Sequence, residues 1–390
     1  MKILMLAPQP FFCPRGTPMS VYYRAVTMAE LGANIDLVTY GYGDDVDLPG
    51  IRHLRVPKLP FVKNVPVGPS VRKLLNDVLM VLYTLRLCLA TRYDAVHAHE
   101  EAVFWAALLK PLFGYKLIYD MHSSLPQQLD NFRRRRFRWF KPVFSWLEKQ
   151  SIKTADFVVT ICPALEQQVS GLANRGAFQI RIENSLFGPI GKAAGVDVCE
   201  SSIYSERIVA DRRWIYYGGT FEAYQGVEML VDAMPSVLRA CPEAGLLLAG
   251  GTEAQIRNIA RRVSALGISE AVALVGTVQM SVAKQFMDMC SVVVSPRMYG
   301  TNTPMKIYEQ LASGKPLVST RILSHTQVLN DEVCFLVDPD EASLANGLIS
   351  ALVNSDQVRS KVEAAKQFYD RQYSKQAYTD RVRQVIARVS

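Results

Sequence analysis

The stretch "YGTNTPMKIYEQLASGKP", Tyr299 to Pro316, sets Lys306 and Glu309 three residues apart just inside a helix start. An ammonium suits a phosphate, and a carboxylate accepts from two neighbouring hydroxyls at once. The residue types predict a helix with Thr303 as N-cap, Pro304 at its first position and Gly314 as C-terminal cap before the strand "PLVST". Free N–H groups at its start would cradle a phosphate against Asn302, Thr303 and Met305, with Lys306 adding formal charge. Glu309 then lies six residues beyond the cap, roughly 9 Å along the axis, about the reach from a diphosphate to the ribose hydroxyls. The competing reading is a capped surface helix in which Lys306 pairs with Glu309. A second entrance, "PRGTPMSVYY", puts Gly16 and Thr17-Pro18 near the N-terminus, which poses whether two helix starts, one from each half, address one ligand.

The elements that would hold these residues follow from the apolar pattern. Strand-like runs, "KILMLAP", "NIDLVTY", "YDAVHAH", "YKLIYDMH" and "ADFVVTIC", alternate with helical segments in the first half. The second half repeats the pattern with "RWIYYGG", "GLLLAGG", "AVALVG", "SVVVSP" and "KPLVST". Such alternation predicts βαβ units and parallel sheets covered by helices on both faces. At 390 residues the chain is expected to hold two domains. The expected layout is an α/β pair of Rossmann-like doubly wound domains, residues 1–187 and 214–370, facing across a cleft, with a linker at 188–213. A last helical segment, 371–390, is expected to cross back to the first domain. Doubly wound sheets bind ligands beyond the carboxyl ends of their strands. No G-x-G-x-x-G follows the first strand, which argues against a dinucleotide dehydrogenase.

Composition narrows the class further. Apolar residues make up 49% of the chain, as in a globular protein with a sizeable core. Seven cysteines stand scattered and odd in number, without metal-ligand spacing, which suits a reducing cytoplasm. The N-terminus reads as a buried strand rather than a signal peptide. "VLMVLYTLRLCLA" is too short to span a bilayer and reads as a core helix. "DDVD", Asp44 to Asp47, reads as a solvated turn rather than a metal site, and no metal is expected. A net charge of +8 points to anionic partners without choosing among them. "NFRRRRFRWFKPVFSWLEK", Asn131 to Lys149, interleaves basic and aromatic residues as a surface for anionic lipid would, the alternative being a half-buried helix with a solvated basic face.

Taken in order, "YDAVHAHE", "YDMHSSLPQQL", "YYGGTFEAYQGVEMLVDAM", "LLLAGG", "LVGTVQMSVAKQFMDMCSVVVSP" and "SPRMYGTNTPMKIYEQLASGKPLVS" resemble family-four retaining glycosyltransferases (group 1 type) of the GT-B fold over nearly the whole chain. The resemblance implies transfer of a hexosyl group from a UDP- or GDP-sugar to a hydroxyl, with retention, giving an α-glycoside. The basic aromatic segment Asn131 to Lys149 adds the expectation of a glycan or lipid-linked acceptor, as in a surface polysaccharide pathway, and nucleic acid is not an expected partner. No cofactor or metal is implied: the departing diphosphate carries the developing charge, and a phosphate oxygen takes the acceptor proton. The cysteine usage and the basic aromatic segment together give an expected location in the cytoplasm, peripheral on the inner face of the membrane.

Carried over position by position, Glu309 matches the acid expected on the ribose, and Gly16 and Thr17 the loop near the donor phosphates. Gly219 and Thr220, with Gly276 and Thr277, join Thr301, Asn302, Thr303 and Met305 as donor contacts. His122 matches a histidine beside the reacting face of the sugar; its alternative is a core histidine at a strand end. His97 and His99 are expected on opposite sides of their strand, with His99 on the acceptor side together with Glu100 and Glu101. Two positions depart from the family. Thr301 stands where a glutamate often contacts the sugar, and Thr220 and Gln225 stand where an Arg and a Lys are usual. Arg297 and Lys306 are therefore expected to supply the missing charge, the alternative being that Arg297 is solvated and Lys306 pairs locally; Arg15 comes next. A nucleotide-sugar epimerase, or a non-catalytic nucleotide-sugar binder, would share the fold and the Glu309 helix.

Overall fold

The computed structural model describes residues 1–13, 16–59, 70–124, 141–174, 176–184, 187 and 212–389. In the first half, β1 (Lys2–Ala7), β2 (Asn34–Thr39), β3 (Ile51–Arg55), β4 (Ala95–His99), β5 (Lys116–Met121), β6 (Phe157–Thr160) and β7 (Phe178–Arg181) form one sheet. Its order is β3-β2-β1-β4-β5-β6-β7, and every pairing is parallel. Ile3 to Ala7 are all fully buried, because a parallel sheet is covered on both faces and needs continuous rather than alternating apolar runs. The crossovers include α1 (Gly16–Glu30), α2 (Val71–Ala90), α3 (Ala102–Phe113), α4 (Lys141–Thr154) and α5 (Pro163–Ser170).

The second half repeats the plan. Strands β8 (Arg213–Gly218), β9 (Ala244–Ala249), β10 (Val272–Gly276), β11 (Val292–Ser295), β12 (Leu317–Thr320) and β13 (Phe335–Val337) align in the order β10-β9-β8-β11-β12-β13. Its helices include α6 (Val227–Ala240), α7 (Glu253–Ala265), α8 (Met280–Met289), α9 (Lys306–Ala312), α10 (Leu323–Thr326), α11 (Glu341–Val353) and α12 (Ser355–Gln372). The final helix, α13 (Lys375–Val389), belongs to the first compact unit, where it packs on α1. Tyr378 there lies under the guanidinium of Arg24 at 5.2 Å, and Arg381 pairs with Glu183 at 3.0 Å. The single segment expected at the C-terminus is thus two helices, broken at Tyr373–Ser374. The linker residues 188–211 and the basic aromatic residues 131–140 lie outside the described residues, as does Arg15.

Two readings need correction. Strands β3, β7 and β13 were not expected; all three are edge strands, where one flank is open and a short run suffices, half-polar in β3 and β7 and only three residues long in β13. Helix α2 is not a core helix. Its buried face is Asn76, Met80, Thr84 and Cys88, while Val71, Leu74, Leu75, Val78, Leu82 and Leu89 face outward, Val71 and Leu89 at 70% and 73% exposure. Even so, no helix among the described residues is long and apolar enough to cross a membrane.

Candidate active site

Beyond the carboxyl ends of β8, β9 and β10, within the second unit, lies a cavity of about 310 Å³ whose lining α8 and α9 complete. Glycines make room for it. Gly219, Gly250 and Gly251 all have positive φ, and a Cβ on Gly250 would fall 1.9 Å from the Gly219 carbonyl oxygen, so two loop backbones cross where no side chain fits. Gly219 N–H donates to the Ala249 carbonyl (2.9 Å), Gly250 N–H to that of Gly276 (2.6 Å), and the Tyr217 hydroxyl to that of Thr220 (2.7 Å). Gly219, Thr220 and Thr277 line the cavity; Gly276 stands one step behind, and Gln225 reaches it only through a 3.4 Å bond from Nε2 to the Thr220 hydroxyl. Val278, Met280, Ala283 and Met287 give it an apolar side.

Lys306 and Glu309 both face this cavity. Lys306 as a whole is partly exposed, but its ammonium nitrogen is buried and has no hydrogen-bond partner among the described residues. It lies 4.1 Å from the centroid of the Tyr217 ring. Loss of water, with the Arg297 charge nearby, lowers its pKa to about 7. Burial raises the Glu309 carboxyl to about 7, opposed by Lys284. The Lys306 to Glu309 ion pair weighed as an alternative does not form among the described residues. Helix α9 is held by the Tyr308 ring against Tyr373 (4.7 Å) and by Gln310, whose Nε2 donates to the Val294 carbonyl at 3.3 Å.

The entrance to this helix differs from expectation. It begins at Lys306 with Met305, already helical in backbone, at the N-cap position and no side-chain cap. Thr303 does not cap it; its hydroxyl is buried without a partner among the described residues. Ile307 N–H bonds the Pro304 carbonyl at 3.0 Å and Tyr308 N–H that of Met305 at 3.2 Å, so a tight i→i+3 turn leads in and takes the place of a cap. Glu309 therefore sits in the first turn, about 4.5 Å along the axis from Lys306 rather than 9 Å from a cap. Thr301, Asn302, Thr303 and Met305 are absent from the lining: the Thr301 carbonyl accepts from Gln327 (2.6 Å) and that of Asn302 from Arg297 (3.2 Å). Arg297 is tucked into its own loop, also donating to the Tyr299 carbonyl (3.0 Å) and lying 5.0 Å over the Tyr224 ring. It sits near enough to Lys306 to lower that pKa, yet it is not part of the cavity wall.

A second cluster occupies the carboxyl ends of β4 and β5 in the first unit. Asp120 is fully buried and accepts on Oδ2 from Arg24 Nε (2.9 Å) and His97 Nε2 (3.0 Å). His99 Nδ1 lies 2.9 Å from His122 Nε2. His97 and His99 do not face opposite sides: residues two apart on a strand share a face, and the two rings stack at 4.7 Å. Burial would raise Asp120, but Arg24 and the histidines outweigh it and hold the carboxyl well below its usual range. Burial also keeps His97 and His99 below the usual histidine range. Ligand atoms of His97, His99 and Asp120 lie within 4.8 Å of one another, as a metal site would require. Asp120 Oδ2 accepts from Arg24 and His97, while His97 Nδ1, His99 Nε2 and Asp120 Oδ1 are buried without a hydrogen-bond partner among the described residues. Glu101 is buried and pairs with Lys73, and Glu100 adopts a left-handed φ of 49° and is half-buried. Gly16 and Thr17 open α1, exposed and half-buried respectively. Sequence reasoning missed Asp120, Arg24, Lys73, Tyr217 and Lys284. The signal for Asp120 was a carboxylate inside the apolar run "LIYDM", a position a buried strand leaves to apolar residues unless a partner compensates.

Two doubly wound parallel sheets, one with an ammonium and a carboxyl beside a glycine-walled cavity, make the two-domain GT-B architecture. The chain matches the family model "Glycosyl transferase 4-like domain" over residues 16–182 and "Glycosyl transferases group 1" over residues 212–354, and it belongs to this glycosyltransferase family. It is 29% identical to the phosphatidyl-myo-inositol mannosyltransferase of Mycobacterium tuberculosis over 100% of this chain and 97% of the relative. To the phosphatidyl-myo-inositol mannosyltransferase of Mycobacterium leprae it is 26% identical, over 94% and 91%. Among solved structures, sucrose-phosphate synthase from Thermosynechococcus elongatus superposes with a TM-score of 0.76 at 19% identity, covering 100% of this chain and 98% of that one. The Anabaena protein HepE in complex with UDP-glucose does so with a TM-score of 0.71 at 15% identity, covering both chains fully.

Proposed function

We propose that this protein transfers a hexosyl group, read as mannosyl from its relatives, from a UDP- or GDP-sugar to a hydroxyl of a lipid-linked acceptor, with retention and without a metal. The observation that carries the proposal is the pairing, in one cavity, of the Lys306 ammonium, buried and without a hydrogen-bond partner, with the half-buried carboxyl of Glu309. A desolvated ammonium lacking a counter-ion is costly, and a diphosphate supplies the missing charge. Glu309, one turn along, is placed for the ribose hydroxyls, and the apolar side with Val278 and Met280 for a base. The seven-residue α9 is too short to rely on its dipole, so Lys306 bears the leaving-group charge, with Arg297 stiffening the loop before it. His122 is read as the group beside the reacting carbon of the sugar.

The relatives named for phosphatidyl-myo-inositol support a membrane lipid as the acceptor. The inside-out face of α2 supports peripheral binding to the cytoplasmic side of a membrane. Its leucines continue onto Leu108 and Leu112 of α3 and onto Val143 and Trp146 of α4, helices that pack side by side and carry exposed Arg72, Arg86, Lys149 and Lys153. The test is transfer by purified protein from radiolabelled GDP-mannose and UDP-glucose to extracted phosphatidylinositol. Glu309→Ala should weaken donor binding by about 1.5–3 kcal/mol, and Lys306→Ala should lower turnover about tenfold or more. Wild-type kinetics in both variants would remove the donor site from this cavity.

A further inference from the structure

Arg24, His97, His99, Asp120 and His122 leave almost no surface in contact with water, each 4% exposed or less. A buried ion pair such as Arg24 with Asp120 is a poor source of stability, since desolvating both charges offsets their attraction. Its location is the informative feature. Asp120 and His99 stand opposite each other in the β4–β5 register, at the carboxyl edge where doubly wound sheets carry their chemistry. Arg24 neutralises the carboxylate, and burial holds His97 and His99 uncharged beside it. The carboxylate, which only accepts, requires the proton of His97 on Nε2. Between His99 Nδ1 and His122 Nε2, at 2.9 Å, there is then room for a single proton. Both nitrogens face Asp120, at 3.8 Å and 3.4 Å.

We propose that His99 is the positioning residue for His122: its Nδ1 fixes the ring plane and the tautomer of His122, while the ring of His97, held by Asp120 and stacked on His99 at 4.7 Å, fixes His99. The chain runs from α1 through β5 and β4 to the histidine following β5, and α13 closes its far end through Tyr378 over Arg24. This rests on the reading of His122 as the group beside the sugar.

The test compares His99→Asn, which keeps an amide nitrogen near the place of Nδ1, with His99→Gln, whose amide falls near Nε2, and with His99→Leu. Turnover of GDP-mannose and UDP-glucose, donor KM, the pH profile of kcat and the thermal midpoint are measured in each. Loss of orientation should cost His99→Gln and His99→Leu about tenfold to a hundredfold in kcat with donor KM unchanged, while His99→Asn stays close to wild type. The pH profile of His99→Gln should also shift, which a packing role would not produce. Equal losses in all three variants, or none, would overturn the inference; if His99→Leu fails to fold, the Asn and Gln pair decides. His122→Ala with wild-type turnover would instead remove the reading beneath it, so the two failures are distinguishable.

Discussion

Lys306 and Glu309 are an ammonium and a carboxyl whose pKa values meet near 7 from opposite directions, in both cases chiefly through burial in the same cavity, with Arg297 adding to the fall at Lys306. A bound diphosphate favours the charged ammonium, and ribose hydroxyls favour the charged carboxylate. Above pH 7 Lys306 is mostly neutral before binding and Glu309 is already ionised, so binding takes up a proton. Below pH 7 Lys306 is already charged and Glu309 is mostly protonated, so binding releases one. Calorimetry of a nucleotide diphosphate sugar in two buffers of different ionisation enthalpy should show net uptake at about pH 8 and net release at about pH 6. Proton exchange of one sign at both pH values would show that only one of the two groups touches the ligand. At this scale the sequence was readable where a residue type alone implies its chemistry, as with Lys306 and Glu309. It was not readable where the role depends on a distant partner: Asp120 takes its meaning from Arg24, 96 residues away. Thr303 failed as a cap because a short i→i+3 turn already satisfies the entrance to α9.

Ten strands were legible as elements, because buried parallel strands need unbroken apolar runs, and their order along the chain already implied two repeats of the same topology. Helix α2 misled for a physical reason: the apolar stretch "VLMVLYTLRLCLA" reads as core by content, and only its contacts reveal that Val78, Leu82 and Leu89 point outward. The glycine crossing between the β8 and β9 loops is the element the cavity depends on most. Gly250→Ala would place a methyl 1.9 Å from the Gly219 oxygen at a φ of +122°, whereas Gly267, at a φ of +68°, has open space around its missing Cβ. Both substitutions carry the cost of a left-handed backbone, about 1–2 kcal/mol, and only Gly250→Ala adds displacement of a neighbouring backbone. Urea denaturation should find Gly250→Ala the less stable by a further 1 kcal/mol or about that, with donor binding lost as the loop moves. Equal midpoints would mean the crossing is looser than the geometry states.

The whole molecule repeats one device: each doubly wound unit gathers polar and charged groups at the carboxyl edge of its sheet, over a core that is mostly apolar. The exposed apolar face shared by α2, α3 and α4 stands apart from this device, and it lies in the first unit. At low salt the protein should sediment with vesicles rich in anionic phospholipid, each basic residue near the surface adding about 1 kcal/mol, and the triple variant Leu75→Ser, Val78→Ser, Leu82→Ser should stay in solution. A wild-type protein that remains in the supernatant would remove the membrane from the proposal while leaving the donor site untouched. The central claim, that the cavity of the second unit is a nucleotide-sugar site built on Lys306 and Glu309, is tested most directly by thermal unfolding with a panel of UDP- and GDP-sugars. At saturating ligand the account predicts that at least one of them raises the wild-type midpoint by several degrees, through binding to the native state alone, and leaves the Lys306→Ala, Glu309→Ala double variant unmoved. A panel that shifts neither protein, or shifts both alike, would contradict it.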